Sequence, residues 1–403
     1  MTATTTARPG TFEAGDFLGL AHDFTDEERL IQQSVREFVQ KRVLPDVGDW
    51  FEQGILPREI AGELGDLGVL GMHLEGYECL GASALAYGLA CMELEAGDSG
   101  LRSFVSVQGS LCMFPIWAYG SEEQKQQWLP AMARGEKVGC FGLTEPDFGS
   151  NPSGMRTSAK RDGDDWILNG TKAWITNGGI ADVAVVWART EEGVRGFLVP
   201  AGTPGFSTQD IHKKLSLRAS VTSELIFEDC RLPADAMLPE ARGMKGPLSC
   251  LNEARYGIVW GAVGAGRACL EAAIDYAGTR IQFDVPIAAY QLTQQKLANM
   301  MLEVNKGQLV ALQLARLKDR GVLAAQQVSF GKLNNVRTAL EVCREARTIL
   351  GANGITLEYP VIRHQNNLEA VLTYEGTSEI HSLVLGEALT GIPAYRRDLP
   401  PVS

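Results

Sequence analysis

The spacing of apolar positions changes twice along this chain. Between about residues 25 and 138, positions such as Ile31, Val35, Phe38 and Val39 recur at helical intervals. Thr25 with Glu28, and Ser121 with Gln124, have the spacing of capping boxes, in which the two side chains satisfy each other's free backbone N–H groups at a helix start. Gly135 fits the stop of the second helix. From about 139 to 240 the period shortens. Trp166-Ile167-Leu168, Asn169-Gly170 and Lys172-Ala173-Trp174-Ile175-Thr176 predict a hairpin closed by an Asn-Gly turn. Further strands are expected over 182–190, 194–200 and 223–227, punctuated by Gly and Pro. Beyond about 245 the helical spacing returns. Leu297, Met301 and Val304 share one face, and Leu333, Val336, Leu340 and Cys343 share another. The expected fold class is mainly α with a central β domain: a flexible tail over 1–19, a helical domain over 20–138, a β domain over 139–243 and a helical bundle over 244–403.

Charge and composition narrow the function. A net charge of −12 argues against binding a nucleic-acid backbone, which needs Lys and Arg to neutralise phosphates. No apolar run is expected to reach membrane-spanning length, so no membrane insertion is anticipated. The first 17 residues lack the apolar core of a secretory signal, and Glu13 and Asp16 make a poor mitochondrial presequence, so a cytoplasmic location is expected. The eight cysteines form no CxxC pair and read as reduced thiols, and with five scattered histidines no metal site is expected.

Tyr374-Glu375-Gly376-Thr377 carries the most chemistry. A carboxylate beside Gly can approach a ligand closely, and burial would raise its pKa towards that of a general base. Alone, the motif fits an exposed Glu at a helix start better than it fits a base. Gly261-Ala262-Val263-Gly264-Ala265-Gly266 resembles a phosphate loop but lacks a preceding strand and the GxGxxG spacing, and reads as small residues at a helix contact.

Several motifs occur in an order that resembles the acyl-CoA dehydrogenase family of flavoproteins over roughly residues 20–395. They are Gly142-Leu143-Thr144-Glu145-Pro146, Leu168-Asn169-Gly170-Thr171-Lys172 running into Trp174-Ile175-Thr176-Asn177, Leu217-Arg218-Ala219-Ser220, Arg280-Ile281-Gln282-Phe283, Leu350-Gly351-Ala352-Asn353-Gly354, and Tyr374-Glu375-Gly376-Thr377. The resemblance implies an N-terminal helical domain, a middle β-barrel and a C-terminal four-helix bundle. It implies FAD as cofactor, with Leu143, Thr144, Ser150, Trp174 and Thr176 around the flavin ring and Gly351, Thr377 and Glu379 completing its surroundings. Arg280, Gln282 and Phe283 match positions that hold the pyrophosphate and adenosine end from a neighbouring subunit, so a homotetramer is implied, and Gln291 is implied as a further cofactor contact. Ala352 departs from the family's usual Gly. Glu375 is implied as the base that removes the α-proton of an acyl thioester, with Arg255 and Ser150 placed towards the CoA moiety.

Within that family the chain is most similar to the glutaryl-CoA dehydrogenases, through Glu95 to Ser103, Ser106-Val107-Gln108, Lys214 to Ser220, Asn252 to Gly257 and Ala388 to Tyr395. Arg102 matters most here. A buried Arg costs several kcal/mol unless an anion pairs with it, and a dicarboxylic acyl tail supplies one (about 3–5 kcal/mol when a buried pair is broken). Glu95, Ser106 and Tyr374 complete the implied substrate set. Leu101 replaces an expected Tyr, and Ser378-Glu379 replaces His-Asp, which leaves room for a related diacid. The implied reaction is oxidation of glutaryl-CoA with loss of CO2 to crotonyl-CoA, with electrons passing to an electron-transfer flavoprotein. Open alternatives are a non-decarboxylating branch, another diacid or carrier-bound thioester, and a flavin-binding scaffold without dehydrogenation.

Overall fold

The computed structural model describes residues 12–394. Of the expected tail, residues 1–11 lie outside that range, as does Tyr395. The stretch from Ala14 is not free. Phe17 N–H donates to Asn305 Oδ1 (2.9 Å) and Asn305 Nδ2 donates to Ala14 O (2.9 Å), so the chain is docked before residue 19.

The first helices are α1 (Asp26–Phe38), α2 (Val47–Gln53) and α3 (Ile60–Asp66). A short hairpin of β1 (Glu75–Gly76) and β2 (Cys79–Leu80) leads to α4 (Ala84–Gly97), α5 (Ser99–Ser106), α6 (Phe114–Tyr119) and α7 (Glu122–Ala133). Both expected capping boxes are present: Thr25 accepts from Glu28 N–H and Ser121 accepts from Gln124 N–H. Gly135, at φ 72°, ends α7 as expected. A π-helical turn, Val107–Met113, joins α5 to α6. From it Gln108 accepts from Gly139 N–H (2.8 Å) and donates to Lys137 O (2.7 Å), tying the helices to the first strand of the sheet.

The middle of the chain forms one seven-stranded curled sheet from β3 (Gly139–Gly142), β4 (Ser158–Asp162), β5 (Asp165–Thr176), β6 (Val183–Thr190), β7 (Gly193–Pro200), β8 (Phe206–Asp210) and β9 (Thr222–Leu232). The strand order is β3-β6-β4-β5-β9-β8, with β7 pairing the other side of β6. Pairing is antiparallel except at β3–β6 and the single β4–β6 contact.

The expected Asn169-Gly170 hairpin does not form. Strand β5 runs straight through both residues, and the reversal occurs earlier, between β4 and β5, at Gly163. Asn-Gly instead marks a bulge against β9, where the register shifts between Leu168 and Gly170. Gly170 is required there by space: a Cβ would lie 2.5 Å from Thr157 Oγ1.

The C-terminal part comprises α8 (Lys245–Thr279), a two-residue-per-strand hairpin of β10 (Ile281–Gln282) and β11 (Val285–Pro286), then α9 (Gln291–Asp319), α10 (Ala325–Ile349), α11 (Val361–Thr373) and α12 (Ser378–Thr390). Contrary to the sequence expectation, α8 is long and apolar enough to cross a membrane by length and composition. Its apolar window is 78% buried within the protein, so its composition is accounted for by its place at the bundle centre. The Gly261–Gly266 stretch lies within α8 and brings it against α4, as read from the sequence. A Cβ on Gly264 would sit 1.9 Å from Met92 O.

Candidate active site

Glu375 occupies the turn between α11 and α12. Thr377 caps α12 by accepting from Ile380 N–H (3.3 Å), which fixes where the helix begins and leaves Glu375 outside it. The Glu375 backbone is left-handed, at φ 51°, a conformation that non-glycine residues seldom adopt and that clusters at functional sites. The residue is half-buried, yet its Oε2 is shut off from solvent and has no hydrogen-bond partner among the described residues. Burial raises the carboxyl pKa, opposed by the charges of Arg102, Lys332 and Arg255.

The neighbouring Tyr374 links this turn to α5. Its hydroxyl receives a hydrogen bond from Arg102 Nη2 and lies 3.2 Å from Ser103 Oγ. Burial pushes the phenol up to about 12, so it stays neutral. Arg102 is fully buried and donates through Nε to Glu95 Oε2 at 2.6 Å. Glu95 also accepts from Ser99 Oγ (2.8 Å). The anion that a buried Arg needs is thus already supplied from α4, and a ligand carboxylate would join a pair rather than complete one. Two bonds leave guanidinium donors to spare out of a total of about five. Gly261 makes room for this pair, since a Cβ there would lie 1.9 Å from Glu95 Oε2. Ser106, one turn after Arg102, is buried with its hydroxyl unpartnered among the described residues.

The sequence reading placed Arg255 towards a CoA group. In the structure it holds the turn itself, donating through Nε to Glu375 O (2.7 Å). Lys332 was missed altogether. It is 1% exposed on α10 and donates to Tyr374 O and to Gly376 O (2.6 Å). A signal was present: Lys332 lies four residues before Val336, on the buried stripe of its helix.

A second group lies on the sheet. Ala173 N–H donates to Thr144 O (2.9 Å), joining the Leu143–Glu145 loop to β5 beside Trp174. Trp174 is 64% exposed with φ 61°, at a register shift between Lys172 and Ile175. A bulge here turns a large flat indole outward instead of into the core. Thr176 follows on the same strand, half-buried, as is Thr144, while Leu143 is buried and Ser150 exposed. Beneath the loop, fully buried Lys172 donates to Glu145 Oε1 (2.9 Å) and Leu143 O (3.1 Å). Glu145 also accepts from Arg156 N–H (2.6 Å) and Thr157 N–H (2.9 Å). Although burial pulls the other way, these bonds hold the carboxyl at about 2, and burial takes Lys172 down to about 8.

The remaining predicted positions stand apart. Arg280, Gln282, Phe283 and Gln291 are exposed around the β10–β11 hairpin, and none hydrogen-bonds to the Glu375 cluster among the described residues. Gly351 (φ 59°) is exposed at the end of α10, and Glu379 is exposed in the first turn of α12. Among the described residues no cluster of metal-ligating side chains occurs.

An exposed flat aromatic flanked by Thr144 and Thr176 can stack on a planar group, and a carboxyl oxygen shut off from solvent can take a proton. Comparison with known proteins agrees. Models of the acyl-CoA dehydrogenase N-terminal, middle and C-terminal domains match residues 25–136, 140–230 and 241–390 in turn. The human mitochondrial short-chain specific acyl-CoA dehydrogenase is 36% identical over 381 residues, covering 93% of this chain and 92% of that protein. A glutaryl-CoA dehydrogenase from Mycobacterium smegmatis, solved in complex with FADH2, is 62% identical with a TM-score of 0.95, covering 96% of this chain and all of that one (100%). A glutaryl-coenzyme A dehydrogenase in complex with glutaryl-CoA is 32% identical with a TM-score of 0.88, covering 93% and 98%. Three domain matches in sequence order, on a fold shared nearly end to end, place this chain in the acyl-CoA dehydrogenase family.

Proposed function

We propose that this chain is a FAD-dependent dehydrogenase of glutaryl-CoA, with Glu375 as the catalytic base. The observation that carries the proposal is Glu375 Oε2, shut off from solvent and unpartnered among the described residues, on a carboxylate that feels the charge of Arg102. Such a group gains most by accepting a proton from a bound ligand. The Glu375 backbone N–H also makes no hydrogen bond among the described residues, and is available to polarise a thioester carbonyl. Bound FAD supplies the acceptor for the β-hydride. Trp174, Thr144 and Thr176 wall its ring, with Leu143, Ser150, Gly351, Thr377 and Glu379 around it.

Arg280 serves a different copy. From Arg255, bonded to the Glu375 turn, to Arg280 at the end of α8 is 25 residues of helix, roughly 37 Å at 1.5 Å per residue. That separation supports what the family resemblance implies, that Arg280, Gln282, Phe283 and Gln291 reach the cofactor of a neighbouring subunit in a homotetramer. The exposed apolar side chains there, Phe283 at 88% and Leu292 at 75%, support a covered surface.

The substrate tail lies towards Arg102, Glu95 and Ser106: the spare donors of Arg102 and the Ser106 hydroxyl suit a terminal carboxylate, and Glu95 holds Arg102 in place. Protonated Glu375 then returns its proton after the carboxylate leaves as CO2, and electrons pass to an electron-transfer flavoprotein. The test is to mix enzyme, glutaryl-CoA and an artificial electron acceptor and weigh the acyl product. Crotonyl-CoA supports the full proposal, glutaconyl-CoA removes the decarboxylation, and no turnover removes glutaryl-CoA as substrate.

A further inference from the structure

Three consecutive carbonyls of the turn that carries Glu375 are held by two cationic side chains. Lys332 takes those of Tyr374 and Gly376, and Arg255 takes that of Glu375 between them. Lys332 forms no ion pair with a carboxylate at contact distance among the described residues, and it is 1% exposed. Burying an ammonium without a contact partner is costly. A neutral donor such as a glutamine amide could bridge a carbonyl without that cost, so the charge itself needs an explanation.

We infer that Lys332 is the positioning residue of the base: its ammonium locks the left-handed turn that presents Glu375, and its charge keeps that carboxylate ionised although its Oε2 is shut off from solvent. The inference rests on Glu375 being the base, as proposed above.

The groups facing Glu375 fit this role. Arg102 approaches from α5, Arg255 from α8, Lys332 from α10 and His381 from α12, with Tyr374 on the same turn and Glu95 behind Arg102. Burial, with the charges of Lys332 and Arg255, takes His381 down to about 3, so it adds no charge near neutral pH. Tyr374 is neutral and Glu95 is spent on Arg102. Arg102 and Arg255 are permanently charged. Lys332 is the one facing cation that titrates near neutrality: burial brings it down to about 7, and the charge of Glu375 works against that fall. The sign follows. While Lys332 is protonated it lowers the pKa of Glu375, and losing its charge raises it.

The experiment follows single-turnover bleaching of the bound flavin between about pH 5 and pH 9, using whichever of glutaryl-CoA or butyryl-CoA reduces the unaltered enzyme. Lys332→Met is expected to lower the plateau rate about ten- to a hundred-fold, through displacement of the base. It is also expected to move the acid limb up by about one pH unit or more. Lys332→Arg should return the limb towards its original position while the rate stays low. If Lys332→Met fails to hold flavin, Lys332→Gln carries the same pH test. A merely structural lysine would cost melting temperature without moving the limb. A neutral variant with full flavin content and an unmoved acid limb overturns the inference while leaving Glu375 as base. If neither thioester bleaches the unaltered enzyme, the proposed function falls, and this inference with it.

Discussion

Two turns in this protein are each braced by a buried lysine, and they use it differently. Under the Leu143–Glu145 loop, Lys172 meets a carboxylate at contact distance, and Glu145 is further satisfied by two backbone N–H groups. The charge is consumed where it stands. Under the Tyr374–Gly376 turn, Lys332 donates to carbonyls and lies 5.8 Å from the centre of the Tyr374 ring, and the opposite charge it answers to is Glu375. The first arrangement is self-contained and stabilises a wall. The second is left open on the side of the group that must gain and lose a proton. A buried ion is therefore best judged by whether its counter-charge has anything else to do.

The comparison breaks most severely at Glu375. Glu375→Gln keeps the shape of the turn but removes the proton acceptor, and turnover should fall about ten-thousand-fold or more while the flavin absorbance of the purified protein persists. Loss of flavin together with activity would make the residue structural.

At the other turn the expected loss is stability. Lys172→Met leaves Glu145 buried without its cation, at a cost of about 3–5 kcal/mol, read as a lower melting temperature. The pH dependence has a definite sign. In the unaltered protein the Glu145 carboxyl lies at about 2 instead of 4.5, so its contribution is complete above 4.5 and is lost as pH falls towards 2. The gap between variant and parent should therefore narrow in acid, and a constant gap from pH 7 to about pH 3 would show that the pair is not its source.

The smallest of these effects is one of selectivity. Arg102 lies only on the second turn, through Tyr374. Arg102→Ala should lower kcat/KM for glutaryl-CoA about a hundred-fold more than for butyryl-CoA, on the scale of one buried charge contact. Equal losses would assign Arg102 to holding Tyr374 and Glu95 alone.

What the sequence disclosed follows from how local each signal is. Capping boxes at Thr25 and Ser121, the stop at Gly135 and the strands around Val183–Thr190 and Gly193–Pro200 depend on neighbours within a few residues, and they formed as read. Asn169-Gly170 misled because the same dipeptide serves a turn and a bulge, and only packing against Thr157 and pairing with β9 decides between them. The burial of Lys172 and of Lys332 was not legible because lysine is ordinarily a surface residue; their partners lie 27 and 42 or 44 positions away in the chain. Arg102 was read as awaiting a ligand anion because the ion pair with Glu95, seven residues earlier across a helix break at Asp98, is a product of the α4–α5 corner.

The left-handed backbone at Glu375 has a thermodynamic consequence. An L-residue in this region costs roughly 1–2 kcal/mol that glycine would not, and a shielded carboxylate without a partner adds to it. At this position the most stable sequence and the working sequence differ, so mutation that drifts towards robustness works against the base. The lysine and arginine clamped on its flanking carbonyls measure how much of the surrounding bundle is committed to resisting that trade-off.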